Sequence, residues 1–194
     1  MKKTAAVIVS FIIIAILIGF VFARFFGSKT RVYTSQNPGQ SSLKATSMTI
    51  SSPAFALGQA IPKKYSCEGD GVNPPLVIKD VPAGAGSLAL IMDDPDAPMG
   101  TWTHWVMWNI PANVMQIAEN SVPSGAVQGQ ASSGQNNYGG PCPPSGTHRY
   151  YFRLYALPGK LNISSFSDVE VLRKALSGST VAEAEYMGTY TKGQ

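Results

Sequence analysis

Two continuous apolar runs, separated by a short polar loop, constrain the fold of this chain more than any other feature. Residues 87–92 and 105–110 are almost wholly apolar, at odd and even positions alike. A strand with one face in water instead alternates apolar and polar residues, because successive side chains point to opposite sides. Runs of this length are typical of strands that are covered on both faces. We therefore expect a sheet whose central strands are buried between other layers.

The loop between the two runs is rigid and carries two carboxylates. It contains the sequence DPDAP, in which Asp94 and Asp96 flank a proline. Proline fixes its own φ angle and restricts the residue before it, so the loop holds both carboxylates in few conformations. The chain re-enters an apolar run at His104, and the other histidine, His148, follows a glycine- and proline-rich loop at residues 138–144. Two rigid loops that each lead into a histidine predict the two halves of one pocket.

The rest of the body is predicted to form short strands. Residues 49–51 and 76–78 are strand candidates. Along residues 149–157, successive side chains are assigned to opposite faces of a third strand. Because strand side chains repeat every second residue, His148 and Tyr150 are expected side by side on one face.

One helix is predicted near the C-terminus of the body. Residues 166–177 have Ser167 as a candidate N-cap, acidic residues in the first turn and Gly178 beyond the last turn. Residues 181–190 contain Gly188 and β-branched flanks, which favour a final strand over a second helix. The predicted fold class is mainly β, a β-sandwich of antiparallel-rich sheets with one or two peripheral helices.

The N-terminus predicts a membrane segment. Residues 4–23 are apolar and uncharged over a length that crosses a hydrocarbon core. We expect a single transmembrane helix within residues 1–26, a flexible linker at residues 27–47, and the β-sandwich domain at residues 48–194. A cleaved signal peptide is the alternative, although the apolar run exceeds the usual signal core of about 7–15 residues. The flanking charges do not fix the orientation; we expect an extracytoplasmic domain, since an N-terminal anchor permits export.

The charge distribution excludes a nucleic-acid partner. The formal charge is +4, but six of the 15 basic residues precede Ser47, whereas all 11 acidic residues follow it. The body therefore carries a formal charge of −2 and has no basic stripe with interleaved aromatic residues to follow a phosphate backbone.

The predicted pocket combines hydrogen-bond donors with carboxylates. The imidazolium groups of His104 and His148 and the Tyr150 hydroxyl donate to oxyanions, and charged donors are about twice as strong as neutral ones. Asp94 and Asp96 repel a bare dianion, but they can orient the histidines, accept the proton of a monoanionic phosphate or face an ammonium group. A zwitterionic headgroup that joins phosphate to amine satisfies all five side chains.

Each of these residues also has a purely structural interpretation. A histidine in a strand is more often a hydrogen-bonded core residue than a ligand, and aspartates among prolines commonly form turns. The three tryptophans are interpreted as core residues, with Trp102 as a candidate for the mouth of a pocket. The matching positions of the two histidines, each at the junction of a loop and a strand, favour the pocket.

Several ordered motifs resemble the signature of the phosphatidylethanolamine-binding protein family, in particular its prokaryotic Raf kinase inhibitor-like branch. The motifs are DPDAP, HW, GGPCPP and HRY, in this order, and the resemblance covers residues 48–190. It implies a β-sandwich whose small cavity binds phosphate, acetate or phospholipid-type headgroups. It assigns ligand binding to Asp94, Asp96, His104, Gly140, Pro141, Cys142, His148 and Tyr150. No catalytic residue, metal or cofactor is implied, and Cys142 stands where the animal members have a glycine.

We expect a binding module for a small anionic or zwitterionic ligand rather than an enzyme. The sequence contains no HExxH motif and no Gly-x-Ser-x-Gly elbow. Two other classes remain open. One is a protease or kinase inhibitor that contacts an unknown protein partner through surface loops, and the other is a phosphoester hydrolase that uses an Asp–His pair.

Cys67 and Cys142 are the only cysteines, and each lies in a proline- and glycine-rich loop beside the predicted pocket. Disulfides persist in exported compartments, so a bond between the two is one hypothesis. Such a bond would join the loop at residues 64–73 to the loop at residues 138–144 and fix the wall of the cavity. Two unrelated buried thiols are the alternative, because one sequence does not show that the loops meet.

Overall fold

The computed structural model describes residues 47–193, which form two β-sheets and one α-helix. The strands are β1 (Thr49–Ser51), β2 (Leu76–Lys79), β3 (Ser87–Asp94), β4 (Trp102–Pro111), β5 (Gln116–Ile117), β6 (Val127–Gln128), β7 (Thr147–Leu157) and β8 (Ala182–Thr191). The helix is α1 (Val169–Leu176), and a 3-10 turn lies at Lys63–Tyr65.

Both sheets are antiparallel. The smaller sheet has the order β1-β2-β5, and the larger sheet has the order β6-β4-β3-β7-β8. Every pair of neighbouring strands runs antiparallel. The prediction of a mainly β fold with antiparallel sheets and a peripheral helix is confirmed, whereas the two-residue strands β5 and β6 had not been predicted.

The central strands are covered on both faces, as their apolar sequences predicted. All 8 residues of β3 are buried. Leu88 and Leu90 pack in a cluster that includes Ile78 of the smaller sheet, whereas Ile91 faces the other way and packs with Leu172 of α1. Full burial of each such side chain contributes about 1.5–3 kcal/mol relative to exposure, so both layers stabilise the sheet.

Helix α1 begins later than its sequence pattern predicted. Asp168, rather than Ser167, is the N-cap, because its carboxylate accepts hydrogen bonds from the main-chain amides of Glu170 and Val171 at 3.0 and 3.1 Å. The helix ends as predicted, before Gly178, whose φ of +80° suits a residue without a side chain.

The final segment is a strand, which confirms the choice of strand over helix for residues 181–190. Buried and more exposed residues alternate along β8. A side chain at Gly188 would place its Cβ atom 2.6 Å from the Ile61 and Phe55 side chains, so glycine permits this close packing. Within residues 47–193 no helix is long and apolar enough to span a membrane. The predicted transmembrane segment and residues 27–46 of the linker lie outside the described residues.

Candidate functional site

An irregularity in the β3–β4 ladder places His104 in the site. Asp93 pairs with Thr103, but the residue before Asp93 pairs with Trp105. His104 is therefore the extra residue of a β-bulge, a feature that leaves one residue unpaired and re-aims its side chain. Its ring lies edge-on to Tyr150 of β7, with the two ring centroids 5.2 Å apart.

Two adjacent carboxylates at the end of β3 serve opposite faces of the sheet. Asp93 is 1% exposed and accepts hydrogen bonds from the Thr103 hydroxyl at 3.1 Å and from Arg173 of α1 at 2.8 Å. Asp94 points to the other face, where its carboxylate lies 2.7 Å from Nδ1 of His148. Only Asp94 of the two lines the cavity described below.

The buried Asp94–His148 pair fixes the orientation of one imidazole. The side chains of His148 and Asp94 are 9% and 5% exposed. Because an ionised carboxylate only accepts hydrogen bonds, Nδ1 of His148 carries the hydrogen. Its Nε2 has no hydrogen-bond partner among residues 47–193 and accepts when the ring is neutral or donates when it is protonated.

His104 is held by a different partner and has different proton chemistry. Its Nδ1 lies 2.9 Å from the Gly139 carbonyl, which only accepts, so Nδ1 donates and Nε2 is left free. The Gly139 amide donates in return to the His104 carbonyl at 2.9 Å. Burial lowers the pKa of His104, although the Gly139 carbonyl and the Asp94 and Asp93 carboxylates oppose this. Burial thus favours the neutral ring, in which Nε2 accepts a hydrogen bond, over the imidazolium donor expected from the sequence.

Tyr150 supplies a polar group without a partner. The residue is fully buried, yet its hydroxyl makes no hydrogen bond with the described part of the chain. Burial raises the pKa of Tyr150, and the nearby Asp94 carboxylate raises it further, whereas the main-chain amide of Cys142 lowers it. A buried hydroxyl without a partner costs free energy.

These groups converge on one cavity of about 370 Å³. Its lining comprises Asp94, Ala97, Pro98, Trp102, Thr103, His104, Ser133, Gly139, Gly140, Cys142, Pro144 and His148. Among the described residues, no lysine or arginine contributes to this lining. Nor does the same part of the chain contain a cluster of three or more histidine, cysteine or acidic residues that could hold a metal ion.

One wall of the cavity is tied to a distant loop. Cys142 forms a disulfide with Cys67, with the two Cα atoms 5.4 Å apart. The Cys67 amide also donates to the Pro141 carbonyl at 3.1 Å. A Cβ atom at Gly140 would lie 2.6 Å from the Tyr65 carbonyl oxygen, so only glycine lets the two loops approach this closely.

Three of the predicted site residues do not line the cavity. Tyr150 lies directly behind His104, and Pro141 is buried in the wall. Asp96 lies farther out, where its carboxylate accepts hydrogen bonds from the Arg149 guanidinium at 2.6 and 2.9 Å and from the Arg149 amide at 2.9 Å. Arg149 lowers the pKa of Asp96 to about 2. Asp96 thereby fastens the DPDAP loop to β7.

The cavity also contains residues that the sequence analysis did not single out. Three of them lie within the DPDAP and GGPCPP motifs, namely Ala97, Pro98 and Pro144. They would have been found if every position of the two motifs had been treated as a candidate. Thr103 and Ser133 carry no such signal. Ser133 comes from a loop that packs beside β4, where the Ser132 hydroxyl and amide bond to Thr103.

The domain is a β-sandwich whose pocket is lined by two histidines and one aspartate, with no lysine or arginine among the described lining residues. This combination is typical of a class of small-ligand-binding proteins. A model of the phosphatidylethanolamine-binding proteins matches residues 51–191, and the chain belongs to that family.

Relatives and solved structures agree with this assignment. The UPF0098 protein of Methanothermobacter thermautotrophicus is 45% identical over 151 residues, which cover 75% of this chain and 100% of that protein. The crystal structure of a putative phosphatidylethanolamine-binding protein homolog, CT736 from Chlamydia trachomatis, is 45% identical, has a TM-score of 0.73 and covers 75% of this chain and 98% of its own. E. coli YbcL is 31% identical with a TM-score of 0.71, covering 75% of this chain and 99% of its own.

Proposed function

We propose that the cavity binds a small oxyacid in its monoanionic or zwitterionic form, such as a phosphate monoester or a phospholipid-type headgroup. The observation that carries the proposal is the pair of histidines in one cavity, His104 from β4 and His148 from β7. Both Nδ1 atoms are engaged by protein groups, so both Nε2 atoms are left for a ligand.

The charge of the lining selects among the forms of such a ligand. Asp94 is the one acidic side chain in the lining, and no lysine or arginine among the described lining residues opposes it. Two negative groups in a partly buried site repel each other strongly, because the effective dielectric there is low. A dianion is therefore disfavoured, whereas a monoanion that keeps a proton, or that carries an ammonium group, is accepted.

The two imidazoles then recognise different groups of the ligand. His148 donates from Nε2 to the oxyanion when its ring is protonated, and its Nδ1 contact with the Asp94 carboxylate orients the ring. Neutral His104 accepts at Nε2 from a hydroxyl or ammonium group of the ligand.

The family assignment supports this choice of ligand. Its description names phosphatidylethanolamine, whose headgroup joins a phosphate to an amine. A headgroup of this kind needs an anion donor and a cation acceptor in one pocket. His148, paired with Asp94, and His104 line the same cavity from β7 and β4, the two strands on either side of β3.

We further infer that residues 4–23 anchor the protein and that the binding domain lies outside the cytoplasm. The apolar, uncharged character of this segment supports anchoring. The Cys67–Cys142 disulfide supports an extracytoplasmic compartment, because such bonds are rare in reducing cytosol.

The proposal is tested by thermal shift and calorimetric titration of the full-length protein in detergent. Phosphoethanolamine is expected to raise Tm, and ethanolamine without phosphate is not. Binding is expected to weaken as pH rises from about 5 to 8, because phosphate monoesters become dianions above a pKa of about 6 and histidine loses its proton near pH 6.5 when unperturbed. Phosphate release, measured in parallel, distinguishes a ligand from a substrate.

Two variants separate the pocket from general stability. His148→Ala removes the donor and is expected to weaken binding by about tenfold or more, since hydrogen bonds to charged groups contribute about 1.5–3 kcal/mol. Asp168→Ala is the control, because it removes the cap of α1 and lies outside the cavity lining. Normal binding by His148→Ala, or affinity that is flat with pH, contradicts the proposal.

A further inference from the structure

The Cys67–Cys142 disulfide joins the wall of the cavity to an exposed loop. Cys142 lines the cavity, and both cysteines are exposed to solvent. The bond joins positions 75 residues apart in the sequence, so it links two separate loops and not one local turn. An exposed disulfide is accessible to an attacking thiolate, and exposure is a property of labile bonds rather than of purely structural ones.

The loop that carries Cys142 is attached at two points by different means. At its start, Gly139 exchanges hydrogen bonds with His104 through the Nδ1 and main-chain atoms of the histidine. Further along, Pro141 accepts a hydrogen bond from Cys67, and the disulfide adds a covalent link at the next residue. Opening the disulfide therefore leaves the His104 side in place and weakens the opposite attachment.

The second attachment positions atoms of the ligand site. Cys142 and Pro144 both line the cavity, together with Gly140 of the same loop. Once the covalent link is removed, a ligand must order residues 140–144 when it binds. Ordering a mobile loop costs part of the binding free energy, which preorganisation otherwise saves.

We propose that Cys67–Cys142 is a site of thiol–disulfide exchange with a dithiol reductant, and that opening it weakens ligand binding in the adjacent cavity. This inference rests on the proposed function, since ligand affinity is its readout. The cavity thereby holds its ligand tightly under oxidising conditions and releases it when reducing equivalents reach the domain.

The exchange balances in two steps. A thiolate of the reductant attacks one cysteine sulfur, forming a mixed disulfide, and the other cysteine leaves as a thiolate that takes up a proton. The second thiol of the reductant then attacks the mixed disulfide and releases the first cysteine. The protein disulfide gains two electrons and two protons, and the dithiol is oxidised to a disulfide by the same amount.

The experiment compares oxidised and reduced full-length protein in detergent, with phosphoethanolamine as the probe. Dithiothreitol opens the bond without denaturant, alkylation with mass spectrometry counts the thiols, and circular dichroism monitors the fold. We expect Kd to rise by about tenfold on reduction and to recover on reoxidation. Cys67→Ser breaks the bond from outside the cavity lining and is expected to bind like the reduced protein, with no response to dithiothreitol.

Each outcome decides the matter. Equal affinity of the oxidised protein and the folded, reduced protein overturns this inference and leaves the proposed function standing. If dithiothreitol opens the bond only after denaturant is added, the proposal that the folded protein exchanges this disulfide is wrong. A lack of binding by the oxidised protein overturns the proposed function and this inference with it. If Cys67→Ser does not fold, the reversible comparison of reduced and reoxidised wild-type protein decides alone.

Discussion

His104 and His148 are the same kind of side chain, but each ring is held by a different hydrogen-bond partner. The carbonyl of Gly139 offers no negative charge, and burial lowers the pKa of His104. His148 instead pairs with the carboxylate of Asp94 at 2.7 Å. Both rings thus present Nε2 to the cavity, although different groups orient them.

The pKa of His104 predicts how stability depends on pH. Above about pH 6.5 the ring is neutral in both the folded and the unfolded chain, so it adds no pH dependence. As pH falls below that value, the unfolded state binds a proton that the folded state resists, and stability falls. His104→Asn keeps a donor for the Gly139 carbonyl and removes the titration.

Urea denaturation of both proteins between about pH 5 and 8 measures this difference. Wild type is expected to lose more stability than His104→Asn as pH falls through the window below about 6.5. His148 is present in both proteins and cancels in the comparison. Parallel stability curves would show that burial does not hold His104 in its neutral form.

At the scale of elements, β3 is the strand that packs against both of its neighbouring layers, the smaller sheet and α1. Its buried residues pack against the smaller sheet on one side and against α1 on the other. The last two residues of β3 are carboxylates that also face opposite sides of the sheet. Asp93 bonds to Arg173 of α1, whereas Asp94 bonds to His148 in the cavity.

Helix α1 depends on its cap, which gives a prediction for the element. Asp168→Ala removes the acceptor for the Glu170 and Val171 amides and is expected to cost about 1 kcal/mol of unfolding free energy. Asp168→Asn retains an acceptor oxygen and is the matched control, with a smaller loss. Urea denaturation measures both variants. An unchanged midpoint for Asp168→Ala would mean that packing of Leu172 and Leu176 alone fixes the start of the helix.

At the scale of the whole molecule, the described residues form a self-contained hydrophobic core. The main cluster runs from Met48 to Tyr190 and joins both sheets. The disulfide adds a cross-link over 75 residues, which the chain-entropy model values at about 4 kcal/mol relative to the reduced chain. Together the core and the cross-link stabilise residues 47–193 as one folded body.

This organisation predicts that the domain is independent of the N-terminal segment. Removal of residues 1–26 is expected to yield a folded protein that stays in solution without detergent and keeps the Tm of the full-length protein within a few degrees. The physical reason is that residues 47–193 by themselves bury a core that joins both sheets. Size-exclusion chromatography and thermal denaturation test this. Aggregation of the shortened chain, with full-length protein monodisperse in detergent, would show that the apolar segment packs on the domain.

The sequence by itself determined the features that repeat locally. Apolar residues at odd and even positions alike predicted buried central strands. The alternation of residues in β7 predicted that His148 and Tyr150 share one buried face. Proline-rich motifs identified the two loops that meet at the cavity. Such patterns are readable because the period of a strand depends on neighbouring residues alone.

Only the tertiary structure decided which atoms meet. The bulge at His104 depends on the register between β3 and β4, and the bond from Asp96 to Arg149 joins residues 53 positions apart. The same holds for the approach of Ser133 to the cavity and for the pairing of Cys67 with Cys142. None of these contacts follows from a local period, because each is set by how separate strands and loops pack against a shared core.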